Sequence, residues 1–126
     1  MKQAIHIKNA PKPVGSYSQA ILQGNMLFIS GQIPMDPFTN QLIKGSIEEQ
    51  AKQVMENIMA LLDAVGLNET HVIKCSIFLT DMNNFSKVDA IYSRYFSGVF
   101  PARETVEVAG LPKGVDVEIS AIAVKE

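Results

Sequence analysis

A chain of 126 residues with 47% hydrophobic content has the length of one domain and enough apolar surface for a core without disulfide staples. Its single cysteine, Cys75, excludes an intrachain disulfide and a multi-cysteine metal site, which fits a reducing cytoplasmic setting. The net charge is −2 and the eleven basic residues are scattered from Lys2 to Lys125, which argues against a general nucleic-acid binder but leaves a small anionic ligand open.

Met1 to Ala10 alternates polar and apolar residues without the apolar run of a signal peptide. No later segment approaches the roughly 18 apolar residues of a membrane span. The expectation is a soluble, unprocessed protein, one domain over residues 1–126, with no membrane contact. Residues 2–7 read as a short strand, followed by a loop through Asn9 to Gly15. Tyr17–Leu22 and Met26–Ser30 read as strands joined at Gly24-Asn25, with Pro34 and Pro37 ending extended structure beyond Gln32.

The spacing then predicts a helix. Ser46 and Glu49 form a capping box, Ala51, Val54, Met55, Ile58, Leu62 and Val65 follow helical periodicity, and Gly66 supplies the stop. Val72–Leu79 is the next strand, in which Cys75 reads as a small buried hydrophobe. Asp81 to Asn84 offer N-cap chemistry for a second helix carrying Phe85, Val88, Ile91, Tyr92, Tyr95 and Phe96, ended by Gly98. Two last strands, Ala102–Val108 and Asp116–Val124, flank a turn at Gly110 to Gly114. Two amphipathic helices cover one face of one sheet. The other face mixes Glu118, Ser120, Ile122 and Val124, and reads as an oligomer interface containing a polar site.

If the last two strands form a hairpin, alternation fixes their faces. Val106 and Val108 share the apolar face with Val117, Ile119, Ala121 and Ala123, so Arg103, Thr105, Glu118 and Ser120 point to the other. Arg103 and Glu118 become diagonal neighbours about 7–8 Å apart. A guanidinium holds a carboxylate through two parallel hydrogen bonds, and a nearby carboxylate takes a proton from water attacking an electrophilic carbon. A direct Arg103–Glu118 salt bridge with no ligand is the plainer alternative, and spacing alone slightly favours it.

These residues also carry a resemblance. Pro101-Ala102-Arg103, Val106-Glu107-Val108, Leu111-Pro112-Lys113 and Val117-Glu118-Ile119 closely resemble the signature of the RidA (YjgF) reactive intermediate deaminases. Asn9-Ala10-Pro11, Gly15 with Tyr17, Ser30 to Pro34, Gln50 to Gly66, Val72-Ile73-Lys74, and Tyr92 with Phe96 extend the likeness over nearly the whole chain. The resemblance implies an α+β, chorismate-mutase-like fold, a six-stranded mixed sheet with two helices on one face, and a homotrimer with clefts between neighbouring subunits. It implies a 2-iminobutanoate/2-iminopropanoate deaminase that releases 2-oxo acids and ammonia, with no cofactor and no metal. Carried over by position, Arg103 clamps the substrate carboxylate, Glu118 directs the hydrolytic water, and Tyr17, Ser30 and Gly31 line the pocket.

Departures from that pattern cluster near the site. Asp89 stands where relatives often keep Asn, putting an anion near the cleft, and Thr105 stands where well-known members have Cys. Asp89 and Thr105 are therefore counted with the substrate-binding positions. Ser120 replaces a frequent second Glu, and Glu104 falls where alternation calls for apolar packing. Two other functions stay open beside the deaminase: an endoribonuclease or translation inhibitor, against which the scattered lysines and the lack of a suitably spaced His pair argue, and a non-catalytic module sensing small ligands.

Overall fold

The computed structural model describes residues 1–126. In chain order the elements are β1 (Gln3–Ile5), β2 (Ala20–Gln23), β3 (Met26–Gln32), β4 (Met35–Asp36), β5 (Gln41–Leu42), α1 (Ile47–Ala64), β6 (Val72–Leu79), α2 (Phe85–Ser93), β7 (Ala102–Glu107) and β8 (Val117–Val124). Six strands form one mixed sheet in the order β1-β2-β3-β8-β6-β7, and β4 pairs with β5 separately. Only β6 and β7 run parallel in the large sheet; α2 supplies the crossover that parallel neighbours require. No helix is long and apolar enough to cross a membrane.

The first helix forms where the capping chemistry places it. The Ser46 side chain accepts the Glu49 N–H at 3.2 Å, and at the far end the N–H of Gly66, at φ +76°, reaches the Asp63 carbonyl. Its apolar stripe, Val54, Met55, Ile58, Leu61 and Leu62, is buried against β3 and β8. Each such side chain contributes about 1.5–3 kcal/mol, so Leu62→Ala would cost on the order of 2–5 kcal/mol. The second helix is shorter than its apolar spacing indicates, because Arg94, Tyr95 and Phe96 donate to the carbonyls three residues back, in tight turns that do not continue the α-helical ladder. Asp81 caps a short 3-10 turn at Met82–Asn84 that precedes α2, instead of α2 itself.

Both helices cover one sheet face, as expected. Cys75, Ile77, Leu79, Val117, Ile119, Ala121 and Ala123 join the helix stripes in a single core. The opposite face carries Phe28, Phe78, Val106 and Ile122 beside Lys74, Ser76, Glu104, Glu118 and Ser120, with Phe28 and Val106 exposed.

The terminal hairpin does not form. β6 lies between β7 and β8, pairing with β7 on one edge and β8 on the other. The nine residues between β7 and β8 span that intervening strand, so neighbours in sequence are not neighbours in the sheet. The inward and outward assignment of β7 also inverts. Arg103 and Thr105 stand beside buried Cys75 and Ile77 under α2, while Val106 faces outward beside Phe78. Tyr17 precedes β2 rather than opening it, β1 spans only Gln3–Ile5, and the β4–β5 pair has no counterpart in the sequence reading.

One irregularity interrupts the β3–β8 ladder. Ile29 pairs with Ala121 and Gln32 with Ile119, so β3 holds one more residue than β8 over this stretch, at Ser30-Gly31.

Candidate active site

The predicted residues fall into two groups on opposite faces of the sheet. Arg103 registers with Cys75, which registers with Ala121, so its side chain runs on the helix-covered face. Glu118 registers with Phe78 on the open face. Thr105 does not oppose Glu118, Arg103 does not oppose Ser120, and no Arg103–Glu118 salt bridge exists. Within one protomer the pair shares no cavity.

The first group is built by α2 and β7. Phe85, Asp89 and Tyr92 lie at helical spacing, on one face of α2, above Arg103. The guanidinium carbon is 5.4 Å from the Phe85 ring centroid and 5.1 Å from that of Tyr92, a double cation–π cradle. Nη1 donates to Asp89 Oδ1 at 2.5 Å, and no other N–H of the guanidinium has a protein acceptor. The Arg103 side chain is 23% exposed, and it opens onto a cleft of about 410 Å³ lined by Asp89, Tyr92, Ser93, Phe100, Pro101 and Arg103. The hydroxyls of Thr105 and Tyr92 are buried without hydrogen-bond partners. Burial raises the proton affinity of both the Tyr92 phenol and the Cys75 thiol, which keeps them neutral.

The second group sits on the open face around the β3 irregularity. A Cβ added to Gly31 would lie 2.6 Å from Glu118 Oε2, so the missing side chain is what lets the carboxylate rest against this backbone. Glu118 is half-buried, makes no hydrogen bond or ion pair, and burial pushes its carboxyl above the usual range. The Ser30 hydroxyl donates to the Ser18 carbonyl at 2.6 Å, leaving its oxygen free to accept. Tyr17 is exposed, and its hydroxyl accepts the Val14 N–H at 3.2 Å. Tyr17 and Gly31 line a shallow recess together with Gln19 and Gln32.

Gln19 escapes sequence reasoning altogether. It is buried, accepts the Ile7 N–H at 2.6 Å, and donates to the carbonyls of Ile7, Ala10 and Pro11, while its own carbonyl accepts the Ser30 N–H. Its side chain ties the loop that carries Tyr17 to the segment from Ile7 to Pro11, and its backbone carbonyl ties that loop to the strand that carries Ser30. Phe85 and Tyr92 are legible only as a core stripe, because an aromatic that cradles a cation has the same spacing as one that fills a core.

Glu104, without a partner in the sequence reading, has two in space. On the open face it takes a hydrogen bond from the Ser76 hydroxyl and pairs with Lys74 Nζ at 3.0 Å, and those two contacts lower its carboxyl below the ordinary value. No three His, Cys, Asp or Glu side chains converge to hold a metal ion.

Comparison with known proteins places the chain. The family described as Endoribonuclease L-PSP matches residues 7–125. A RutC family protein of Pyrococcus horikoshii is 54% identical over 126 residues, 100% of both chains. The protein named 2-iminobutanoate/2-iminopropanoate deaminase in Bos taurus is 46% identical over 125 residues, covering 99% of this chain and 91% of that one. The crystal structure of Escherichia coli TdcF with bound serine aligns with a TM-score of 0.94 at 38% identity, over 98% of this chain and 99% of that one. The chain therefore belongs to the Endoribonuclease L-PSP family, which also holds the RutC, Rid and YjgF proteins.

Proposed function

We propose that this protein hydrolyses small 2-imino acids, 2-iminobutanoate and 2-iminopropanoate, to 2-oxo acids and ammonia in a cleft completed between subunits of a homotrimer. The observation that carries the reading is Arg103: a cradled guanidinium opening onto a cleft with a single protein acceptor, leaving a donor edge for a substrate carboxylate. Because Glu118 lies on the other sheet face, the Arg103 of one protomer works with Glu118 of the partner subunit. The mixed apolar and polar open face, with Phe28 and Val106 exposed, is the surface available for that contact. Relatives at this level of identity that are named 2-iminobutanoate/2-iminopropanoate deaminases support the substrate class, and TdcF holding serine supports a small amino-acid-like ligand.

The chemistry needs little machinery. The guanidinium fixes the carboxylate and thereby the neighbouring C=N carbon. Water adds to that carbon while its proton passes to the Glu118 carboxylate, giving a carbinolamine. The Glu118 proton then goes to the nitrogen, the hydroxyl gives its proton back to the Glu118 carboxylate as the C=O bond forms and the C–N bond breaks, and a 2-oxo acid and ammonia leave. Burial that raises the proton affinity of Glu118 brings it closer to that of a useful general base. Imines hydrolyse readily unaided, so a ~10³-fold gain requires only about 4 kcal/mol, within the range of orientation plus one charged clamp.

The test couples threonine dehydratase and threonine to this protein, with semicarbazide trapping free imine. Faster 2-oxobutanoate release and less trapped imine, both lost in Arg103→Ala, are expected. Identical traces with and without the protein would refute the reading.

A further inference from the structure

Arg103 is not a free clamp, because its one protein partner is an anion on the rim of the same cleft. Asp89 Oδ1 engages Nη1 alone, Asp89 is 44% exposed, and these two are the only charged side chains lining the 410 Å³ cleft. Within one protomer the cleft wall therefore presents one positive and one negative group side by side, and Glu118 of the partner subunit, which the proposed function brings to the same cleft, adds a second anion that disfavours a purely anionic ligand further. A ligand that is only an anion gains the open edge of the guanidinium but brings its carboxylate close to that of Asp89. A ligand with a cationic nitrogen on the carbon next to its carboxylate meets both groups with opposite charge.

We propose that Asp89 is a specificity-determining residue, which makes the cleft select ligands bearing a cationic nitrogen α to the carboxylate over 2-oxo acids of the same size. This inference rests on the imine-hydrolase reading of the cleft and deepens it. The protonated 2-imino acid carries that nitrogen, whereas the 2-oxo acid it becomes does not, so the reaction removes the group that Asp89 attracts. Product is thereby released by charge, and 2-oxo acids that accumulate around the protein do not block it. The conservative change Asp89→Asn keeps an oxygen to accept the Nη1 hydrogen bond, so it isolates charge from the positioning of Arg103.

The experiment measures binding of 2-oxobutanoate and of L-2-aminobutanoate, a stable zwitterion of the same carbon skeleton, by calorimetry on the wild-type protein, Asp89→Asn and Arg103→Ala. Circular dichroism and light scattering verify that all three share one fold and assembly. The wild type should bind the amino acid about tenfold more tightly than the oxo acid, a preference of about 1.4 kcal/mol. Asp89→Asn should reduce that preference about tenfold, chiefly by strengthening 2-oxobutanoate binding, and product inhibition should strengthen with it. An unchanged ratio in Asp89→Asn overturns the role of Asp89 while leaving the clamp intact. Unchanged binding of both ligands by Arg103→Ala instead removes the clamp, and with it this inference; absence of binding by all three proteins does the same.

Discussion

Arg103 and Glu118 occupy opposite faces of one sheet, on strands separated by β6. A site that needs both must draw them from different subunits, and that makes a complementation experiment decisive. Arg103→Ala and Glu118→Gln should each be inactive alone. Denatured together in equal amounts and refolded, they should recover about a quarter of wild-type activity, because in a ring with head-to-tail interfaces one site in roughly four combines an intact Arg103 with an intact Glu118. A site contained in one protomer would recover nothing.

The environment of Glu118 fixes the sign of two pH effects. Burial raises its carboxyl above the ordinary 4.5, and the base form must be ionised to accept a proton. The value of kcat/KM should therefore fall as pH drops through an apparent pKa above 4.5, and Glu118→Gln should abolish that limb along with most activity. A carboxyl whose folded-state pKa is raised contributes stability below its unfolded value that is lost as pH rises through the folded one. Glu118→Gln should thus melt higher than wild type at pH 7, with the gap closing at pH 4. A melting temperature lowered at pH 7 would contradict an unpaired, desolvated carboxylate.

Gly31 offers a way to disturb Glu118 without touching it. Its φ is not in the left-handed region, so Gly31→Ala tolerates the backbone, yet the new methyl would fall 2.6 Å from Oε2 and push the carboxylate from its resting place. Activity should drop about 10–100-fold with a near-normal melting temperature, as expected of a misplaced catalytic group. Wild-type turnover in this variant would mean that the carboxylate works from another position.

Gln19 is the predicted weak point for stability. Gln19→Ala leaves the Ile7 N–H and the carbonyls of Ala10 and Pro11 without their partner, at a cost of about 2–4 kcal/mol for polar groups stranded out of water. Urea denaturation should register that loss, and the loop bearing Tyr17 should become the first segment to exchange its amide hydrogens.

Sequence reasoning succeeded where local chemistry decides the outcome. Ser46 with Glu49 marked the start of α1, Gly66 its end, and the alternation from Val117 to Ala123 marked β8 and its buried face. The resemblance, resting on nearly the whole chain, supplied the mixed six-stranded sheet and the two covering helices. The terminal hairpin failed because strand adjacency is a long-range property: nothing in residues 102–124 announces that β6 will come between them. The β7 faces failed for a related reason. Val106 is apolar and so reads as inward, but the uncovered face of this sheet is itself partly apolar, so hydrophobicity does not distinguish the two sides. Asp89 was visible as an unusual charge near the cleft, while its pairing with Arg103 required the helix to be set above the strand.

The extra residue in β3 makes two consecutive positions, Ser30 and Gly31, answer to one position, Ser120, on the neighbouring strand. A chain one residue shorter between Ile29 and Gln32 would knit a flawless ladder and show a single outward side chain there. The niche against which Glu118 leans is a flaw in the weave, and mending it would leave a tidier sheet with no hollow for that carboxylate.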